Sequence, residues 1–124
     1  MLKTNDINSE KINKKISLRK AKELDDNFVL ETIDGIYLPK WLLKDNNLTT
    51  GAKKLLALIM EICCKSPDNA CTLSNKAFCT FLYQSLQATT TQLYLLTKNK
   101  YIKREAVNEG SIIRRITVNP VKLG

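Results

Sequence analysis

Lys98, Lys100, Lys103, Arg104, Arg114 and Arg115 stand close together near the C-terminal end of the chain, a density of cations suited to neutralising phosphate oxygens. Just before them runs Leu86-Gln87-Ala88-Thr89-Thr90-Thr91-Gln92, a stretch without charge. Its side chains can offer an amide, hydroxyls and methyl groups to the edges of bases. Gln87 suits a bidentate bond to adenine, and Thr90, Thr91 and Tyr94 complete the candidate base readers. The cations would position the chain on phosphates without reading sequence.

Other chemistries find less support. There is no histidine for general acid or base work, no Gly-rich phosphate loop and no paired acidic motif of a metal nuclease. Asp25-Asp26 reads as a helix end rather than a metal site. The four cysteines, Cys63, Cys64, Cys71 and Cys79, lack C-x-x-C spacing. An all-cysteine metal site would need the adjacent Cys63 and Cys64, whose side chains diverge by about 100° on a helix. They read as reduced, mostly buried thiols. The expectation is a binding protein, not an enzyme, with no cofactor, no metal and no small-molecule substrate.

The 124 residues suffice for one domain with a core, and their 44% hydrophobic and 26% charged content is that of a folded globular chain. The net charge of +8 favours a polyanionic partner. Its distribution sharpens the point. Residues 1–24 carry seven basic and three acidic groups, residues 25–97 six and seven, and residues 98–124 seven and two, so the excess sits at both ends. No apolar run reaches the roughly 18 residues of a membrane span, and the charged, Asn-rich start has no hydrophobic signal core. A cytoplasmic protein without membrane contact is expected.

Periodicity supplies the elements that must hold these groups. Residues 1–26 read as a basic N-terminal arm or helix, with Ile12, Ile16 and Leu24 near helical spacing. Phe28 to Ile33 and Ile36 to Leu38 flank Asp34-Gly35, which predicts an N-terminal hairpin. Pro39 opens a short turn of helix at Lys40-Trp41-Leu42-Leu43. Thr49 or Thr50 caps a long helix to about Lys65, with Ala52, Leu55, Leu56, Ile59, Ile62 and Cys63 inward. Ser74 caps a helix to Leu82 that turns Ala77, Phe78, Phe81 and Leu82 inward; Tyr83-Gln84-Ser85 breaks it. Ser85 caps a third helix to Lys98 with Thr89, Leu93 and Leu96 inward. Asn99 is placed as its left-handed C-cap. Tyr101 to Val107 and Ser111 to Asn119 form a second hairpin around Asn108-Glu109-Gly110.

The class that follows is mainly α with a small β part (α+β). Two short helices joined by a three-residue break and followed by a basic hairpin make a winged helix-turn-helix, a three-helix core with a C-terminal β-hairpin wing. It spans residues 27–119, with a tail at 120–124. Arg114 and Arg115 fall on opposite faces of their strand, so one of them is expected to pair with Glu105 or Glu109. Leu95 falls near the outer face of the third helix and Leu86 at the margin of its buried stripe.

Four stretches carry a resemblance: Ile36-Tyr37-Leu38-Pro39-Lys40-Trp41-Leu42-Leu43, Leu48-Thr49-Thr50-Gly51-Ala52-Lys53-Lys54-Leu55-Leu56, Ser74-Asn75-Lys76 and Asn99-Lys100-Tyr101-Ile102. Together they resemble the N-terminal winged helix domain of plasmid and phage replication initiation proteins of Gram-positive bacteria. The resemblance implies double-stranded DNA recognition through the third helix and wing, by an often dimeric module acting in replication initiation or transcription regulation. Where that family usually has a turn glycine, this chain has Tyr83, which predicts a different or strained turn. A second reading is a phage- or plasmid-encoded inhibitor or adaptor that reuses the fold to bind a host or replication protein through Leu86, Tyr94 and Leu95. A homodimer is a further expectation, through the N-terminal stretch or the Phe28 hairpin.

Overall fold

The computed structural model describes residues 20–106 and 114–120. Those residues form an α+β domain of five helices and one antiparallel hairpin. A helix over residues 20–31 (α1) is followed by α2 (Lys40–Leu43), α3 (Thr50–Lys65), α4 (Asn75–Leu82) and α5 (Leu86–Lys98), then β1 (Ile102–Ala106) and β2 (Arg114–Val118).

Three hydroxyl caps set the helix starts. The side-chain oxygens of Thr49, Ser74 and Ser85 accept from the backbone N–H of Ala52, Ala77 and Ala88, each satisfying a donor that the first turn would leave unpaired. α3 is the centre of the core. Ala52, Leu55, Leu56, Ile59, Ile62 and Cys63 are buried as their spacing predicts, and Ala57 and Leu58 are buried too. An amphipathic surface helix would leave those last two in solvent. Here Ile33, Leu42 and Leu48 belong to the same core cluster, with Val29 and Leu30 packed against it.

The N-terminal hairpin expected around Asp34-Gly35 is not formed. Phe28 to Glu31 continue α1, and residues 33–39 run without strand pairing. A tight hairpin needs positive φ at its central residues, yet Asp34 is not among the positive-φ residues and Gly35 does not lie in the left-handed region. Val29, Leu30 and Ile33 instead meet the core from adjoining turns, so helical packing overrode the β-rich local composition. The helix also runs unbroken across the boundary expected after residue 26.

The C-terminal hairpin is antiparallel, pairing Ile102 with Val118, Arg104 with Ile116 and Ala106 with Arg114. Its expected turn at Asn108-Glu109-Gly110 lies outside the described residues. An isolated antiparallel bridge joins Cys71 to Ile116, with reciprocal backbone bonds of 2.8 Å. That bridge pins the segment between α3 and α4 to the hairpin.

α5 ends at Lys98 as expected, but the left-handed residue that follows it comes one position later than Asn99. Asn99 has φ −86°, and Lys100 (φ 64°) takes the left-handed position. Tyr101 N–H donates to the Leu96 carbonyl and Lys100 N–H to the Thr97 carbonyl, at 2.9 and 3.1 Å, the bond pair of a Schellman cap. Buried Tyr101 and Leu96 supply the apolar contact that accompanies such a cap, so the register followed the buried side chain rather than asparagine's conformational tolerance. No helix among the described residues is long and apolar enough to cross a membrane.

Candidate nucleic-acid interface

α4 and α5 are joined by Tyr83-Gln84-Ser85, and Tyr83 sits in the left-handed region (φ 53°, ψ 51°) with 96% of its surface exposed. A non-glycine residue there is strained. The turn is held by polar contacts beneath it. Gln84 Nε2 donates to Thr89 Oγ1 and to Gln92 Oε1, at 2.8 and 2.7 Å. Thr89 in turn donates to the Ser85 carbonyl and lies 3.3 Å from Cys79 Sγ. This network explains how a threonine can be fully buried in the stripe with Leu93 and Leu96.

With that stripe inward, α5 turns Gln87, Thr90, Thr91 and Tyr94 to solvent, as the periodicity predicts. Thr90 and Thr91 donate their hydroxyl protons back to the Leu86 and Gln87 carbonyls. Leu95 is different. Expected near the outer face, it is partly buried and packs on the core, whereas Leu86 is exposed.

The cations divide into two groups. Lys98, Lys100, Lys103 and Arg104 are exposed, running from the last turn of α5 along β1. Arg114 and Arg115 are half-buried and held within the protein. Arg114 lies 5.6 Å from the centre of the Phe78 ring and donates to the Leu73 carbonyl at 3.1 Å. Burial pulls its guanidinium below arginine's ordinary pKa, Cys71 opposing and Arg104 adding to the effect. Arg115 points to the opposite flank, donating to the Asp68 carbonyl at 3.2 Å and lying 3.5 Å from the Asp68 carboxylate. The partner expected for one of the two arginines was Glu105 or Glu109, of which Glu109 lies outside the described residues. Glu105 is the cross-strand neighbour of Arg115, but the ion pair forms with Asp68 on the loop after α3. The Ser66 hydroxyl chiefly, aided by Arg115, holds the Asp68 carboxyl below its usual pKa. Arg114 and Arg115 are thus structural anchors of β2, and the exposed positive charge of the hairpin belongs to β1.

Asp25-Asp26, expected as a helix end, lie inside α1, and the contacts made by Asp26 and Asp45 went unrecognised in the sequence. Asp26, only 3% exposed, accepts from the Ser74 backbone N–H at 3.1 Å and pairs with Lys22. It ties α1 to the start of α4. Asp45 accepts the Tyr101 hydroxyl and so joins the segment after α2 to the end of α5. The i,i+4 spacing of Lys22 and Asp26 was a readable helical signal; the contacts to Ser74 and Tyr101, between segments far apart in sequence, were not.

Cys63 and Cys71 are buried, Cys79 is half-buried and Cys64 exposed, all as free thiols. Burial pushes the Cys63 thiol up to about 12 and the Cys71 thiol up to about 11, which makes both poor nucleophiles at neutral pH. No three metal-ligating side chains gather among the described residues. Comparison of the chain with protein-family models, curated proteins and solved structures returned no match.

Proposed function

We propose that the domain is a winged helix-turn-helix that binds double-stranded DNA, as a replication initiator module or transcriptional regulator. The observation that carries the reading is the continuity of α5 and β1. An outward face without charge runs directly into a hairpin strand whose Lys103 and Arg104 stand in solvent. An α-helix about 10–12 Å across enters a major groove about 12 Å wide, and a strand beside it reaches the flanking phosphates. In this reading α4 braces α5, Gln87, Thr90, Thr91 and Tyr94 meet base edges, and Lys98, Lys100, Lys103 and Arg104 meet phosphates.

The test is equilibrium binding of the whole chain to mixed duplexes over a range of salt. Affinity should fall linearly on a log–log plot, and Lys103→Ala with Arg104→Ala should weaken binding to every duplex and reduce the slope by about 1 for each phosphate no longer neutralised. Arg115→Ala should leave the slope unchanged because its charge is already paired with Asp68. Affinity unaffected by the β1 pair would overturn the assignment.

A second reading has its own observation. Tyr83, Leu86 and Tyr94 are large, apolar-bodied and exposed around the start and middle of α5. A protein-binding inhibitor or adaptor would use such a surface as its contact. It predicts no retention of duplex at physiological salt and loss of a protein partner on Leu86→Asp.

A further inference from the structure

We infer that the exposed face of α5 reads thymine 5-methyl groups, so that the DNA site is centred on neighbouring A·T pairs; this rests on the DNA-binding reading above. The argument begins with the threonine hydroxyls. Thr90 Oγ1 donates to the Leu86 carbonyl at 2.9 Å, and Thr91 Oγ1 to the Gln87 carbonyl at 3.0 Å. Each hydroxyl proton is spent inside the helix, so each threonine offers a partner only an acceptor oxygen and a methyl group.

The surrounding residues extend that surface. Leu86, Thr90 and Tyr94 follow one another at i, i+4 spacing and form one outward row, with Leu86 and Tyr94 exposed by 59 and 60%. Gln87 and Thr91 form the adjoining row. The other glutamine of α5, Gln92, is committed to Gln84, which leaves Gln87 as the amide turned to solvent. No cation or carboxylate precedes Lys98 on the helix. The arginine or lysine that takes guanine O6 and N7, and the carboxylate that takes cytosine N4, are therefore absent from this face. Methyl groups beside one amide match the thymine methyl beside the N6 and N7 of adenine.

The experiment selects a preferred duplex for the full chain from a random pool, then replaces thymine by uracil one position at a time, removing only the methyl group. About fourfold weaker binding is expected at each of two or three neighbouring positions, the equivalent of about 0.8 kcal/mol per methyl. Thr90→Ser and Thr91→Ser keep the hydroxyl and its bond to the helix, and each should abolish the thymine–uracil difference at one position. The corresponding valine variants keep a methyl and should retain the difference. Equal affinity for thymine and uracil duplexes, or a selected site of G·C pairs, overturns the inference and leaves DNA binding standing. Failure to retain any duplex overturns the DNA-binding reading itself.

Discussion

The side-chain amides of Gln84 and Gln92 meet head to tail: Gln84 Nε2 donates to Gln92 Oε1 at 2.7 Å, and Gln92 Nε2 returns a bond to Gln84 Oε1 at 3.1 Å. Gly51, in the first turn of α3, leaves the space for this. A Cβ on Gly51 would stand 2.3 Å from Gln92 Nε2. One amide pair thus locks the turn after α4 to the middle of α5 and seats α5 close against α3. Gln92→Ala should cost roughly 1–3 kcal/mol by stranding the Gln84 amide. Gly51→Ala should cost less, because only the far end of the Gln92 side chain has to move and alanine favours the helix. Combining Gly51→Ala with Gln92→Ala should cost less than the sum, since the clash disappears with the glutamine. Urea titration of the three variants measures the coupling.

Asp26 gives a second prediction. Its carboxylate is buried and serves both Lys22 and the Ser74 N–H. Asp26→Ala leaves a part-buried ammonium and a backbone donor without their acceptor and should cost roughly 2–4 kcal/mol. Asp26→Asn keeps an acceptor for Ser74 and should cost less. Hydrogen exchange should show the loss first in α1.

Tyr83 offers a gain in stability. Its left-handed backbone is strained for any residue with a Cβ, and its side chain is almost wholly in solvent. Tyr83→Gly relieves the strain and, after the added chain entropy of the unfolded glycine, should stabilise by about 0.5–1 kcal/mol. A raised thermal midpoint is the expected reading; a lowered one would show that the ring makes a stabilising contact.

Alkali should weaken the fold through three groups acting in one direction. Burial lifts Cys63 from 9.0 to about 12 and Cys71 from 9.0 to about 11. Burial and the bond to Asp45 lift the Tyr101 phenol from 10.0 to about 12. Each native value exceeds that of the unfolded chain, so the native state keeps protons that the unfolded state releases. Their stabilisation is complete below about pH 9 and is lost as pH rises toward about 12. The urea midpoint should fall across that window, and Tyr101→Phe should make the fall shallower while lowering stability at neutral pH.

Much of this architecture was written in local pattern. The caps at Thr49, Ser74 and Ser85, the buried stripe of Thr89, Leu93 and Leu96, and the outward Gln87, Thr90, Thr91 and Tyr94 follow from hydroxyl chemistry and the 3.6-residue period, both of which act within a few residues. Tertiary packing decided the rest. Phe28 to Glu31 became helix because Val29, Leu30 and Ile33 gain more against the core than a short hairpin could. Arg114 and Arg115 left the candidate interface because Phe78, Leu73 and Asp68, distant in sequence, came within reach of them. Spacing along the chain fixes which way a side chain leaves its own helix or strand; what it then meets depends on segments whose approach no local pattern records.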